Sequence, residues 1–391
     1  MNVLHVIPSL DPATGGPPII AASLAAAQAA LGCRTGIVAY RFPEAQQRTA
    51  AALQAIPHIG EVRIDYLPFS KPERFFARGA RRRLAALVDQ FDVLHLHGVW
   101  DPLIYAAAQA AREKKVPYVL TLHGMLHPWA MKQSAWKKQA ALIFGYRRML
   151  NDAIFLHLGN ESERILTAAM GLTPPTRIAG NGVFLEEFTP LPERGAFRAA
   201  HPELKDAELI LFLGRLHYMK GLDFLGDAFA VIARRRPGAR LVVAGPDVGQ
   251  RAEFEAQIAR LGLADRVHLV GPLYGAQKRA AMRDCDCFCL PSRREGFSVA
   301  VVEALACEAP VVISTECHFQ EVAEANAGIV VELNAPELAA GIERMLNDRE
   351  SARRMGIAGR ELVERRFTWP KVAQQLIDGY HALLGNRMRV G

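Results

Sequence analysis

The sequence has no long apolar run. Its most extended Ala-rich stretch, IIAASLAAAQAALG from Ile19, contains Ser and Gln and falls short of the ~20 residues that span a bilayer. The opening residues, MNVLHVIPSL, lack the charged segment that begins a signal peptide, and they are predicted to form a first β-strand. We therefore expect a cytoplasmic protein.

Cysteine is also scarce, with six residues in 391 and no C-x-x-C pair. Cys285, Cys287 and Cys289 alternate in DCDCFCL, so in a strand all three would point to one face. Three thiols on one face could ligate a metal. Because no histidine or second cysteine pair accompanies them, we favour a buried strand in which cysteine acts as a small apolar residue. No metal is expected.

The dinucleotide fingerprint G-x-G-x-x-G is missing after the first predicted strand. The loop PSLDPATGGPP has only the pair Gly15 and Gly16, which disfavours a Rossmann NAD site. Paired glycines still let the backbone approach a ligand closely. A helix from about Pro17 is predicted to offer free N–H groups to an anion.

Positive charge is unevenly distributed along the chain. The net charge is +7, residues 1–190 account for +6, and residues 71–150 alone sum to +9. Aromatic residues are interleaved with the basic ones, as in KQSAWKKQAALIFGYRR, which suits an anionic membrane surface. A plain solvated face explains the pattern equally well. No recognised nucleic-acid motif is present, so a nucleic-acid partner is not expected.

The length favours two domains. Short apolar runs such as NVLHVIP, DVLHLHG, LILFLG and RLVVAG alternate with helical patterns in both halves. Continuous apolar strands that alternate with helices indicate parallel sheets covered on both faces. The predicted fold class is therefore α/β, with two doubly wound units joined near residues 188–206.

Two strand-end loops have candidate polar groups. In LFLGRLHYMKGLD, Arg215 and Lys220 follow a strand and could clamp a diphosphate, although solvated surface cations are the alternative. In TLHGMLHPWAMK, His123 could bind a substrate hydroxyl or carry a proton, although a satisfied core histidine is the commoner case.

The stretch PSRREGFSVAVVEALACEAPVV places Glu295 and Glu303 eight positions apart among Val and Ala. A carboxylate in such surroundings is costly unless something binds it. Ser298 is predicted to cap a helix that contains Glu303. Together with free amides at residues 296–298, the two carboxylates could bind a polyhydroxylated ligand that bears phosphate.

These motifs resemble a family 4, retaining glycosyltransferase of the GT-B fold. The likeness is carried by the Gly-Gly loop, GRLHYMKG, the E-x7-E spacing, EAPVVIS and a helix after FTW. The runs HGMLHPWAMKQSAWKK and CHFQEVAEANAG resemble bacterial members that build lipopolysaccharide, capsule or exopolysaccharide. The resemblance implies two Rossmann-like domains facing across a cleft. Residues 1–190 with a returning helix 369–391 would form the acceptor-side domain, and residues 191–368 the nucleotide-sugar domain.

The resemblance also implies a role for each matching position. Arg215 and Lys220 would bind the donor diphosphate, and Glu303 would bind the ribose. Glu295, His123 and the amides of Gly296, Phe297 and Ser298 would contact the transferred sugar. Gly15 and Gly16 would lie at the donor phosphate, and the segment around Gly271 would line the nucleobase. Arg215, Lys220, Glu295 and His123 would be the catalytic set.

The implied reaction is transfer of a hexose from a UDP- or GDP-sugar to a glycan or polyprenyl-diphosphate-linked acceptor, with retention of configuration and no metal or other cofactor. The sequence departs from the family pattern at three places. Glu308-Ala309 replaces the usual Gly and apolar residue, Ser298 replaces a frequent Gly, and Arg294 precedes the first motif Glu.

Three rival interpretations stay open. Asp284-Cys285-Asp286 imitates the D-x-D metal signature of the other main glycosyltransferase fold, but a helix-to-strand junction also explains these acids. A nucleotide-sugar epimerase or hydrolase on the same fold would use similar loops. A nucleotide-sugar sensor without activity is the option that is not an enzyme.

Overall fold

The computed structural model describes residues 1–387 of the chain, with the side chains of the last helix described up to residue 384. Thirteen strands lie within these residues. The strands are β1 (Asn2–Val6), β2 (Arg34–Arg41), β3 (Arg63–Pro68), β4 (Val93–His97), β5 (Tyr118–Thr121), β6 (Phe155–Leu158), β7 (Thr176–Ile178), β8 (Glu208–Leu213), β9 (Ala239–Ala244), β10 (Val267–Gly271), β11 (Cys287–Leu290), β12 (Val311–Ser314) and β13 (Gly328–Val331).

Helices separate most of the strands. In the first part of the chain they are α1 (Pro17–Ala30), α2 (Gln46–Gln54), α3 (Lys71–Phe76), α4 (Arg78–Leu87), α5 (Pro102–Glu113), α6 (Pro128–Lys132), α7 (Ala135–Ala141), α8 (Arg147–Asn151) and α9 (Glu161–Ala169). A π-helical turn, Leu142–Tyr146, joins α7 to α8.

The remaining helices follow residue 190. They are α10 (Ala196–Ala200), α11 (Leu222–Arg235), α12 (Arg251–Arg260), α13 (Gly275–Asp284), α14 (Val299–Ala306), α15 (Glu321–Glu324), α16 (Ala335–Asn347), α17 (Arg349–Arg366) and α18 (Trp369–Arg387). Among the described residues, no helix has both the length and the apolar character needed to cross a membrane.

The strands form two parallel sheets, which confirms the predicted α/β doubly wound class. The first sheet has the order β3-β2-β1-β4-β5-β6-β7 and the second the order β10-β9-β8-β11-β12-β13. In both, the strand order reverses direction once, between β1 and β4 in the first sheet and between β8 and β11 in the second. In open α/β sheets, ligands bind beyond the carboxyl ends of the strands at such a switch point.

The chain divides into two compact units. The N-terminal unit comprises Met1–Asn181 together with the last helix from Trp369, and the C-terminal unit comprises Gly182–Thr368. The sequence placed the first boundary later, at residues 190 and 191. The Val183 N–H donates to the Phe367 carbonyl at 2.9 Å, and Phe188 lies in the core of the C-terminal unit. These contacts attach residues 183–188 to the C-terminal unit. Residues 388–391 of the predicted returning helix lie outside the described residues.

One strand was not predicted. The short edge strand β7 contains only Thr-Arg-Ile, none of which is buried, so it lacks the apolar run that marks the other strands. It pairs with β6 from Leu156↔Thr176 to Leu158↔Ile178. Backbone pairing at a sheet edge, rather than burial, defines this strand.

The three alternating cysteines lie in the core of the C-terminal unit. Cys285, Cys287 and Cys289 are each 2% exposed or less, and burial raises the pKa of all three thiols. Their positions confirm the interpretation as small core residues.

The two acids of the D-x-D triplet have structural partners. The Asp284 carboxylate accepts hydrogen bonds from the backbone N–H groups of Gly195, Phe197 and Arg198, at 2.6, 2.7 and 3.1 Å. The Asp286 carboxylate accepts a 2.9 Å bond from the Arg198 guanidinium. A helix-to-strand junction and the start of α10 therefore account for both acids.

Replacing Asp284 with alanine is expected to destabilise the C-terminal unit. Asp284 is buried, so its loss would leave three N–H donors without an acceptor, at a cost of about 2–4 kcal/mol. Urea unfolding would measure the change. Asp206→Ala is the matched control, since Asp206 is exposed and should change stability by less than about 0.5 kcal/mol. Equal stability of both variants would contradict the structural role.

Candidate active site

The switch point of the C-terminal sheet brings together the loops that follow β8 and β11. The first loop contains Arg215 and ends in a short 3-10 helix, Tyr218–Lys220. Arg215 is exposed and has no polar partner among the residues that the structure describes. His217 begins the 3-10 helix, and its Nδ1 accepts a 3.1 Å bond from the Met219 N–H. The loop therefore presents one unpaired cation at the edge of the sheet.

Lys220 and Glu295 join the two loops directly. The Lys220 ammonium forms an ion pair with the Glu295 carboxylate, whose side chain is only 10% exposed. The Ser292 hydroxyl donates to the same carboxylate at 2.5 Å, and the Glu295 N–H donates to the Glu316 carbonyl at 3.1 Å. From the sequence, a bound ligand was expected to compensate the charge of the Glu295 carboxylate. Within the protein itself, lysine and serine already do so.

Arg293 is a second link between the loops, and sequence reasoning missed it. Its guanidinium donates to the Tyr218 carbonyl at 2.8 Å and to the Asp223 carboxylate at 2.7 Å. It also lies 3.9 Å from the centre of the Tyr218 ring and 4.6 Å from that of Phe224. The arginine pair of PSRREGF indicates a cation here, but only the fold shows that Arg293 binds the neighbouring loop.

Glu303 has its own lysine. It lies on α14, and its carboxylate accepts a 2.6 Å bond from the ammonium group of Lys278 on α13. Lys278 was not predicted to belong to the site. Each carboxylate of the E-x7-E motif is therefore paired with a lysine from another element, and neither is an uncompensated charge.

The N-terminus of α14 has an unusual cap. Ser298 occupies the N-cap position as predicted, but its hydroxyl makes no capping bond. The hydroxyl is buried and finds no hydrogen-bond partner among the described residues, and Ser298 is 3% exposed. The Phe297 ring packs against the Phe319 ring, with 5.0 Å between the ring centres. Phe297 therefore offers the site only its backbone. An unpartnered hydroxyl beside free helix amides is a favourable position for an anion.

Gly271 ends β10, the edge strand that β9 separates from the switch-point strand β8. It has φ +76°, and an added Cβ would meet no atom of the described part of the chain within 4 Å. Its carbonyl accepts a 2.9 Å bond from the Gly245 N–H. The strand end is thus open on one side, and the nucleobase role of this segment stays a prediction.

The glycine loop of the N-terminal unit has fewer free backbone N–H donors than predicted. Gly15 has φ +125°, and Gly16 is the N-cap of α1. Pro17 and Pro18 fill the first two helical positions, and neither has an N–H. The helix start therefore offers fewer free donors than expected, and the amide of Gly16 precedes the two prolines.

His123 follows β5 in a left-handed conformation, with φ +50°, which is uncommon for a residue other than glycine. The next residue, Gly124, also has a positive φ, and its N–H donates to the Glu163 carboxylate at 2.6 Å. The other oxygen of Glu163 accepts a 2.7 Å bond from the Gly159 N–H. Burial raises the pKa of Glu163. This carboxyl, which sequence reasoning did not identify, holds the turn that presents His123.

Comparison with known proteins decides the family. Residues 193–362 match the family model described as "Glycosyl transferases group 1", and residues 15–182 match the model "Glycosyl transferase 4-like domain". The two models together span most of the chain. The chain belongs to the family 4 glycosyltransferases of the GT-B fold.

Several known proteins are similar to this glycosyltransferase along most of its length. D-inositol 3-phosphate glycosyltransferase of Jonesia denitrificans is 28% identical over 97% of this chain and 95% of its own. Phosphatidyl-myo-inositol mannosyltransferase of Mycobacterium tuberculosis is 29% identical over 77% and 76%. The structure of Anabaena HepE in complex with UDP superposes with a TM-score of 0.80 at 19% identity, over 98% of this chain and 100% of that one.

One departure of this glycosyltransferase from its family pattern lies at a left-handed backbone position. Glu308, where the family usually has glycine, has φ +56°. A side chain in this region carries a conformational cost that glycine would avoid. The Glu308 carboxylate accepts a 2.6 Å bond from the Arg283 guanidinium, which partly offsets that cost.

Gly221 sets how closely the two loops of the glycosyltransferase approach. It has φ +69°, and an added Cβ would lie 1.9 Å from the Pro291 carbonyl oxygen. Gly221→Ala is expected to lower stability by more than about 1 kcal/mol, because it adds both backbone strain and a clash. Thermal unfolding would measure this.

Gly238→Ala is the control for that variant, since its φ is ordinary and its added Cβ would meet no described atom within 4 Å. If Gly221→Ala melts at the same temperature as Gly238→Ala, the close approach of the loops is not tight.

Proposed function

We propose that the protein transfers a hexose from a nucleoside diphosphate sugar, UDP- or GDP-linked, to a glycan or polyprenyl-diphosphate-linked acceptor with retention of configuration. The observation that carries the proposal is the buried, unpartnered hydroxyl of Ser298 at the N-terminus of α14. Lys220 follows the neighbouring strand of the same switch point. A phosphate would accept hydrogen bonds from the Ser298 hydroxyl and from the free N–H groups at the start of the helix.

The charges near this hydroxyl suit a diphosphate leaving group. Arg215 is exposed and free to fold over a ligand, whereas Lys220 is held in place by Glu295. Cations that are fixed before the reaction stabilise negative charge as it develops on the departing phosphate. The Glu303 carboxylate would accept hydrogen bonds both from Lys278 and from the ribose hydroxyls. Glu295 and the amides of residues 296–298 would contact the transferred sugar.

No acid and base pair is required for this chemistry. The acceptor hydroxyl would attack the face from which the diphosphate leaves, and the leaving phosphate would take the proton. Positioning and electrostatic stabilisation would supply the rate. The roles of Gly15, Gly16 and His123 toward the donor rest on the family resemblance, as does synthesis of a bacterial cell-surface polysaccharide. We propose that no metal takes part.

Loss of either cation should slow transfer. Arg215→Ala and Lys220→Ala are each expected to lower kcat by about 10²–10³, the range for removal of one preorganised charge-stabilising group. Release of UDP or GDP from a panel of nucleotide sugars, with and without acceptor, would measure turnover. A thermal-shift screen of the same panel would first identify the donor, because a bound ligand raises the melting temperature.

Arg234→Ala is the matched control, because Arg234 is an exposed arginine on α11 that makes no polar contact with the described residues. Its kcat should equal that of the wild type. Full activity in Lys220→Ala would contradict the cation role. Conversion of the sugar without release of nucleotide would instead support an epimerase, and tight binding without any turnover would support a sensor.

We further propose that the N-terminal unit binds an anionic membrane surface through α7 and the π-helical turn after it. Trp136, Ile143 and Phe144 are between 73% and 79% exposed. Lys137 and Arg147 are exposed as well, the first on α7 and the second directly after the turn. Exposed apolar side chains that alternate with cations fit the headgroup region of a bilayer. The protein would then be peripheral on the cytoplasmic side.

Reversing two charges tests this surface. Lys137→Glu with Arg147→Glu should weaken binding to vesicles that contain phosphatidylserine by more than about tenfold, since each basic residue contributes about 1 kcal/mol. Vesicle co-sedimentation would measure binding. The control is Lys205→Glu with Arg234→Glu, the same charge change on exposed residues of the C-terminal unit. Equal binding by both double variants would contradict the proposed surface.

A further inference from the structure

Four buried histidines and one threonine line a single face of the N-terminal sheet. The strand register pairs His5 with His95, His97 with Thr121, and Thr121 with His157. All five side chains are between 0% and 5% exposed. Buried polar groups of this kind must find hydrogen-bond partners. The proposed reaction does not explain why so many of them lie here.

A backbone carbonyl fixes one end of the network. The Nε2 of His157 lies 2.9 Å from the Ala179 carbonyl oxygen, which can only accept, so Nε2 carries the proton. The Nδ1 of neutral His157 then accepts from the Thr121 hydroxyl at 2.8 Å. That hydroxyl accepts from His95 Nε2 at 2.6 Å, and His95 Nδ1 accepts from the Tyr380 hydroxyl at 2.6 Å.

The same direction continues from Tyr380 to His123. The Tyr380 oxygen accepts from the Gln28 amide at 3.1 Å, and the Gln28 carbonyl accepts from His5 Nε2 at 2.8 Å. His5 Nδ1 then accepts from His97 Nε2 at 2.9 Å. Finally, His97 Nδ1 accepts from His123 Nε2 at 3.2 Å. Every donor along this series has one acceptor.

The reverse direction fails at the anchored end. Reversing only the part from Gln28 to His123 would place the Gln28 carbonyl oxygen against the Tyr380 oxygen, whose proton is already donated to His95. Reversing the whole series, from His123 back to His157, would leave the lone pair of His157 Nε2 against the Ala179 carbonyl, two acceptors in contact. A positive imidazolium would relieve this clash. Burial opposes it, because it lowers the pKa of His157 and His5 to about 4 and that of His123 to about 3. The rings are therefore neutral near pH 7.

We propose that this hydrogen-bonded series, from the Ala179 carbonyl to His123, fixes the tautomer of His123. His123 carries its proton on Nε2 and presents Nδ1 as a hydrogen-bond acceptor. Toward the transferred sugar, which it contacts only under the proposed function, His123 accepts a bond from a sugar hydroxyl and donates none. Tyr380 on the last helix is a positioning residue, since it connects the two halves of the series.

A bound cation is the competing explanation. Ring nitrogens of His5, His95 and His97 all lie within 4.8 Å of one another, a spacing that could hold a metal ion. Both nitrogens of each ring already have hydrogen-bond partners. A metal would take a lone pair that the series uses as an acceptor, so the two arrangements exclude each other at those rings.

Nitrogen NMR of the full-length protein in the absence of substrate tests the tautomer directly. In protein labelled with ¹⁵N at histidine, at pH 7, His123 Nδ1 should show the shift of an unprotonated nitrogen and Nε2 that of a protonated one. His123→Gln identifies the signals by their loss. A protonated Nδ1 would overturn the proposal. Metal in the protein as purified, or loss of the His5 and His97 signals to added Zn²⁺, would overturn it as well.

Tyr380→Phe tests the connection to the anchor. This variant keeps the ring that stacks on Phe155 and removes only the hydroxyl. The segment from Gln28 to His123 then loses its fixed direction, and His123 should show both tautomers. If they become equally populated, kcat should fall about twofold, in proportion to the competent fraction. A single Nε2-protonated form in Tyr380→Phe would overturn the role of Tyr380.

Tyr118→Phe is the matched control. Tyr118 is equally buried, but its hydroxyl donates to the Met149 carbonyl outside the series. It should lose stability without a change in the His123 tautomer. Because the spectra need no substrate, the two proposals fail separately. The predicted tautomer without sugar transfer would contradict only the function, and transfer with the opposite tautomer would contradict only this inference.

Discussion

The ion pair between Lys220 and Glu295 is the interaction on which the proposed donor site depends. It joins the loop after β8 to the loop after β11, at the point where the order of the sheet reverses. Arg293 also connects the two loops, through its bond to the Tyr218 carbonyl. Since both contacts form within the protein, the cation and the helix start are held in place before any ligand arrives. Such preorganisation is the main resource of an enzyme that stabilises a leaving group by charge.

Much of the fold followed from the sequence, because apolar strands and their spacing are local properties. The strand β7 was missed because its three residues are not buried. The loops that follow β8 and β11 were identified from Gly, Arg and Glu positions. Their partners were not, since Lys278 reaches Glu303 only through the packing of α13 against α14. The spacing in the sequence identifies a charged residue, but only tertiary packing determines which residue it pairs with.

The buried histidines illustrate the same limit. Histidine recurs at alternate positions in VLHLH, so a shared face was visible from the sequence. The neighbours of that face were not. The parallel pairing of β1 with β4 brings His5 beside His95, and α18 returns Tyr380 to the N-terminal unit from the far end of the chain. A hydrogen-bonded series built from such distant residues cannot be read from any local pattern.

A crystal structure of the protein soaked with UDP or GDP would test the central claim most directly. We expect a phosphate at the N-terminus of α14, within hydrogen-bond distance of the Ser298 hydroxyl and the Lys220 ammonium, and a ribose bound to Glu303. A nucleotide bound at another edge of the sheet, with the Ser298 hydroxyl still unpartnered, would contradict it.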